Sequence, residues 1–269
     1  MKRLLILFVG LVAFGLVPAM FADLADYSLN VNGTTYCPTT AGSPALCSSF
    51  GGLAAVPSLS SSLDTTFPGG TGLGTVTLTY NPGPGSFFTS LWLFENLFPA
   101  TAQNEFGVAV GSPQAGESWQ IDVPDATYVG ELGVAGAGTI VANNAANTLS
   151  NTNFVPGGTD NFDAQCGLLV TDATCNDYTS MALGFNFVLG AGEKEIVTFR
   201  VSTTAPASGF YLRQVAPVDA ANDAEIDYFY SATAVTVPIE TNGVPEPSTW
   251  VLVVTMGILM LLFRRRLAA

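Results

Sequence analysis

Four separate stretches of this chain place apolar residues at every second position, a spacing that a helix cannot bury on one face but a strand can. In TVTLTY, Val76, Leu78 and Tyr80 alternate with Thr75, Thr77 and Thr79. Trp119, Ile121 and Val123 oppose Ser118, Gln120 and Asp122 in the same way. Leu183, Phe185, Phe187 and Leu189 line one face of a third stretch, and Val197, Phe199 and Val201 line a fourth after a turn at Gly190, Ala191 and Gly192. The run 226–237 is rich in aromatic and β-branched residues and alternates less cleanly, as a strand buried on both faces would. Breakers such as NPGPG at 81–85 and VPGG at 155–158 separate these runs. The pattern predicts an all-β body of some eight to ten strands, an antiparallel β-sandwich spanning 23–238. The Ser-, Gly- and Pro-rich segment from Thr34 to Gly74 is expected to be a long, partly ordered loop.

Charge excludes whole classes of partner. Five of the eight basic residues sit at the extreme ends: Lys2, Arg3, Arg264, Arg265 and Arg266. Between Asp23 and Glu240, three basic residues face twenty acidic ones, a body charge of −17. Such a surface repels phosphate backbones, so nucleic acid is excluded as a partner.

The two ends read as addresses. Lys2 and Arg3, an apolar run from Leu4 to Val17, and small residues Ala19, Ala22 and Ala25 form the pattern of a cleaved secretory signal peptide, assigned to 1–22. Pro18 and the shortness of the run argue against a retained anchor. Signal peptidase is therefore an expected partner. At the other end, Trp250 to Phe263 is uncharged, and its helix would reach about 21 Å against a hydrocarbon core of about 30 Å. Adding Pro247, Ser248 and Thr249, and letting Arg264, Arg265 and Arg266 snorkel, closes most of that gap. The arginines then act as a stop-transfer cluster that keeps the tail cytoplasmic and the body outside. Residues 239–243 are a linker, and 244–269 form the terminal signal.

A simple anchor has no need of Val244, Pro245, Glu246, Pro247 and Ser248 at its outer edge. Followed at once by an apolar helix and a basic cluster, these residues resemble a PEP-CTERM sorting signal. Proteins of that family are exported by many Gram-negative bacteria that make extracellular polysaccharide. The resemblance implies recognition by an exosortase, a membrane-embedded cysteine protease that cuts near the motif. It further implies transient anchoring in the inner membrane, then release to the cell surface or matrix. The two prolines deny the flanking backbone a helical course and hold Glu246 on an extended strip. The body stretches GLGTVTLTYNPG and MALGFNFVLGAGEKEIVTFRVSTTAPASGFYL are similar to those of other members, with no activity attached to the likeness.

The four cysteines fall in two close pairs, Cys37 with Cys47 and Cys166 with Cys175. In an exported chain they are expected as disulfides, near neighbours pairing first among three possible connectivities. With no histidine in the sequence, Ser-His-Asp and Cys-His chemistry and the common zinc sites are absent. A glycoside hydrolase needs only two carboxylates, and Glu95, Glu105, Glu117 and Glu131 are available, though no motif singles them out. No cofactor is expected; calcium is the one weighed. Asn151, Asn153, Asp160, Asn161 and Asp163 form one oxygen-rich cluster, and Asp219, Asn222, Asp223, Glu225 and Asp227 another. Neither cluster has EF-hand spacing, and Asx-rich turns are common in any β protein. Trp92 and Trp119, with Tyr128 and Tyr211, are candidates for stacking on sugar rings, although both tryptophans lie where core residues would. The expected role is non-catalytic, a structural or adhesive surface or matrix component, with a carbohydrate-binding module or a secreted glycoside hydrolase acting on extracellular polysaccharide as the competing readings.

Overall fold

The computed structural model describes residues 22–38, 47–66, 70–97, 105–123, 139–155, 179–216, 225–240 and 247–267. The period-two stretches are strands, and they form two sheets. Sheet one holds β1 (Ala22–Val31), β2 (Thr34–Cys37), β3 (Ser49–Phe50), β6 (Gly85–Leu97), β8 (Glu117–Asp122), β9 (Thr152–Asn153) and β10 (Ser180–Leu189), in the order β3-β2-β1-β6-β10-β8-β9. Sheet two holds β4 (Leu59–Ser61), β5 (Gly74–Tyr80), β7 (Phe106–Val110), β11 (Glu193–Ser202), β12 (Tyr211–Ala216) and β13 (Ile226–Pro238), in the order β4-β5-β11-β13-β12-β7.

The registers explain why one face of each sheet is apolar. Leu29, Leu91, Leu183 and Trp119 stand opposite one another on β1, β6, β10 and β8, a single row across sheet one. Val76 stands opposite Phe199 and Leu78 opposite Val197 in sheet two. These residues, with Ile121, Met181, Phe185, Leu212 and Tyr230, form one core shared by both sheets. The long ladders are antiparallel as expected. Two short pairings depart from that: β2 with β3 and β8 with β9 run parallel, and each of these edge strands, β3 and β9, is two residues long.

Two further expectations need correction. The segment 34–74 is not one loop: it contributes β2, β3, a 3₁₀ turn at Gly52–Ala55 and β4 before β5 begins. The polar face of β8 is not solvent-facing either. Gln120 and Asp122 are buried, because helix α1 (Ile140–Ala146) covers that face of sheet one. Ile140, Val141 and Leu149 pack there on Trp92, Phe94 and Ala182 to make a second, smaller apolar cluster. Side-chain amides around it are paired through their donors: Asn30 Nδ2 donates to the carbonyl of Asn144 at 2.8 Å, and Asn144 Nδ2 to Ser28 Oγ at 3.0 Å. Such pairing offsets the cost of burying an amide.

One lateral seam joins the two sheets. The Gly107 amide on β7 donates to the Val155 carbonyl at 3.0 Å, and Asn153 Nδ2 on β9 donates to the Gly107 carbonyl at 2.6 Å. Gly107 has to be glycine, since a Cβ there would collide with Ile121. Contacts divide the chain into two units, Met1–Val237 and Pro238–Ala269. The second contains helix α2 (Pro247–Leu267).

Candidate functional site

At the end of the fold where β1 turns into β2 and β5 crosses to β6 lies a groove of about 510 Å³. Two turns build it. Asn32 and Gly33 form a two-residue connection with both φ angles positive, the geometry that lets an Asn-Gly pair join antiparallel strands without splaying them. The breakers after Tyr80 end β5 and carry the chain from sheet two to sheet one. Val56 and Leu78 give the groove a buried apolar floor, Tyr36 and Tyr80 line it half-buried, and Asn32 and Asn81 are exposed at it. Hydroxyls of Thr34, Ser58 and Thr79 complete the polar lining.

The rings are held from behind. Tyr80 meets Phe87 edge-on with centroids 5.2 Å apart and Phe187 at 6.0 Å. Burial raises the Tyr80 hydroxyl pKa, and the neighbouring Tyr36 adds to the shift, so the Tyr80 phenol stays neutral and can donate. Tyr36 is adjacent in sequence to Cys37, whose disulfide to Cys47 fixes that strand end. Among the described residues no carboxylate, ammonium or guanidinium lines the groove.

The residues singled out from sequence are placed as follows. Cys37 and Cys47 are bonded, whereas Cys166 and Cys175 lie outside the described residues. Trp92 is wholly buried beneath α1, and Trp119 packs against the main core with its ring 5.8 Å from that of Phe210. Tyr211 contacts Phe229 at 5.8 Å; Tyr128 lies outside the described residues. The aromatic groups that do line a groove, Tyr36 and Tyr80, were not among the sequence candidates. The signal that could have found them is that each lies beside an Asn-containing turn, in VNGTTY and LTYNPG.

Glu95, Glu105 and Glu117 are each less than one-tenth exposed; Glu131 lies outside the described residues. The side chain of Gln214 joins two of them, donating to Glu105 Oε2 at 2.8 Å and to the backbone carbonyl of Glu95 at 2.9 Å. Glu117 Oε2 accepts the Gln114 amide at 2.7 Å, and burial pushes its pKa up to about 7.

The oxygen-rich clusters are engaged in other work where they are described. Asn151 Oδ1 accepts the Trp119 amide at 2.9 Å, and Asn153 Oδ1 accepts the Val155 amide at 2.9 Å. Asp227 and Glu225 both bind Arg213, at 2.8 and 2.5 Å. Asp160, Asn161, Asp163, Asp219, Asn222 and Asp223 lie outside the described residues. Among the described residues no three His, Cys, Asp or Glu side chains gather as a metal site.

Of the terminal motif, Val244, Pro245 and Glu246 lie outside the described residues, and Pro247 and Ser248 open α2. Proline suits the first helical turn because its missing N–H would have no partner there. The helix spans 21 residues, about 31 Å, and continues through Arg264, Arg265 and Arg266. Its described side chains, Val251 to Met260 with Phe263 and Arg264, are all exposed, and apolar residues surround the axis instead of forming a stripe. Among the described residues no helix is long and apolar enough to cross a membrane.

No protein-family model, no curated protein and no solved structure matches this chain.

Proposed function

We propose that this chain is an exported surface or extracellular-matrix protein: a disulfide-containing β-sandwich ectodomain, delivered by a signal peptide and released from a transient membrane anchor by an exosortase. Its role is structural or adhesive and not catalytic. The observation that carries this reading is the chain end. A helix apolar around its whole circumference starts within Pro245-Glu246-Pro247, runs into three arginines, and belongs to a contact unit separate from the β body. A helix of that kind is stable only when covered on all sides, by protein or by lipid.

Two features of the body support the export half of the proposal. The Cys37–Cys47 disulfide suits an oxidising compartment. The acidic excess suits a surface exposed to solvent and not to nucleic acid or anionic lipid. The buried positions of Glu95, Glu105 and Glu117 favour the non-catalytic role over glycoside hydrolysis. Calcium remains outside the proposal, since the described cluster residues spend their oxygens on amides and on Arg213.

Glu246 is the only charged residue between Glu240 and Arg264, which makes it the residue for the protease to read. Replacing it, Glu246→Ala, is expected to leave the full-length, membrane-bound form to accumulate. Unchanged processing of that variant would overturn the sorting assignment.

A further inference from the structure

We propose that the groove between the β1–β2 turn and the β5–β6 turn binds a neutral polysaccharide, with Tyr36 and Tyr80 against a sugar ring and Asn32 and Asn81 hydrogen-bonding its hydroxyls. This deepens the matrix role proposed above by giving it a ligand class, and its test does not depend on how the chain is sorted.

The chemistry of the lining selects the ligand. A sugar ring has C–H-rich faces and a belt of hydroxyls, so it needs an aromatic surface beside groups that both donate and accept. Tyrosine supplies the first and part of the second, and side-chain amides supply the rest. Val56 and Leu78 keep the floor dry, while the exposed Asn32 and Asn81 meet solvent where the ligand's outer hydroxyls would lie. The volume, about 510 Å³, falls within the size of small-ligand sites.

Charge narrows the class further. Among the described residues the groove has no cationic side chain to hold a uronate or sulfated sugar, and the chain's net charge of −13 repels polyanions over a distance. A neutral glycan is the polymer that both the lining and the surrounding field admit.

The site is also built before the ligand arrives. Tyr80 is wedged by Phe87 and Phe187, Asn32 sits in a left-handed turn closed by a Gly33 amide bonded to Asn30 Oδ1 at 2.9 Å, and the disulfide lies next to Tyr36. Fixing these groups in advance lowers the ordering cost of binding.

The test is affinity electrophoresis of the full chain in mild detergent, through native gels containing dextran, galactomannan or mixed-linkage β-glucan, with polygalacturonate as the anionic comparison. At least one neutral gel is expected to retard the protein and the polygalacturonate gel is not. Tyr36→Ala and Tyr80→Ala are expected to weaken retardation by about tenfold or more, as truncating an aromatic anchor does. Asn81→Ala, at an exposed position, is expected to weaken it with the unfolding midpoint unchanged, and Val188→Ser, exposed elsewhere, to leave it intact. The proposal is overturned if no neutral gel retards the wild type, if only polygalacturonate does, or if Asn81→Ala and a folded tyrosine variant migrate as the wild type.

Discussion

The hydroxyl of Tyr230 on β13 donates to the backbone carbonyl of Leu91 on β6 at 2.7 Å, so a strand inside sheet two is hydrogen-bonded through the core to a strand inside sheet one. Tyr230 is fully buried, and burial raises its pKa well above the ordinary value, so the bond persists as a neutral donor. Tyr230→Phe keeps the ring contact with Phe199 and removes only the hydroxyl. The expected loss is about 0.5–1.5 kcal/mol of unfolding free energy, read by denaturant titration. No loss would mean that this hydrogen bond adds nothing to the packing of the two sheets.

Trp92 supports the fold beneath α1 and takes no part in the groove. Trp92→Ala is expected to cost about 3–5 kcal/mol, as deletion of a buried aromatic does. Where the variant still folds, its polysaccharide retardation should equal that of the wild type. Selective loss of retardation at full stability would place Trp92 in a binding site instead.

Glu117 makes stability fall as pH rises. Its folded pKa is about 7 against an ordinary 4.5, so between those values the folded state holds a proton that the unfolded state has released. The sign follows directly: stability declines across that window and the penalty is complete above it. Asp122, raised by burial as well, acts in the same direction. Glu117→Gln is expected to flatten the decline in thermal midpoint between pH 5 and pH 8 without abolishing it. Equal slopes for the variant and the wild type would contradict the assignment.

The Cys37–Cys47 disulfide closes a short loop, with a sequence separation of 10. Its removal by Cys37→Ser/Cys47→Ser is expected to cost about 2–3 kcal/mol by the loop-entropy relation. Because Tyr36 adjoins it, the same variant should also weaken retardation in the neutral gel that binds the wild type. A midpoint equal to that of the oxidised wild type would show that the loop is held by β2 and β3 without help.

Strand β1 limits where the proposed signal peptide can be cut. Leu24 is buried in the core and its amide donates to the Gly70 carbonyl at 2.8 Å. Cleavage after Ala25 would remove that residue, so the mature N-terminus is expected at or before Asp23. N-terminal sequencing that began at Asp26 would contradict the role given to Leu24.

Much of the core was legible because a strand writes its burial at period two. Val76 and Leu78, Leu183 and Phe185, and Val197, Phe199 and Val201 all lie inward as their alternation requires. The same rule misplaced Gln120 and Asp122, since alternation cannot tell a polar residue that meets water from one that meets a covering helix. Helix α1 itself, IVANNAA, is too short and too rich in Asn to carry a readable helical period. The groove was illegible for a different reason: Tyr36 and Tyr80 come from distant strands and meet only after β1, β2 and β5 have taken their places. The proposed terminal signal rests on contiguous residues and so on sequence alone.

The most direct measurement of the central proposal is the intact mass of the protein recovered separately from the medium and from the membrane fraction. The account predicts a released species that lacks about the first 22 residues and the chain from near Pro247 onward. A protein that retains Arg264, Arg265 and Arg266 and is found only in the membrane would contradict it, and would describe a tail-anchored domain in place of a sorted surface protein.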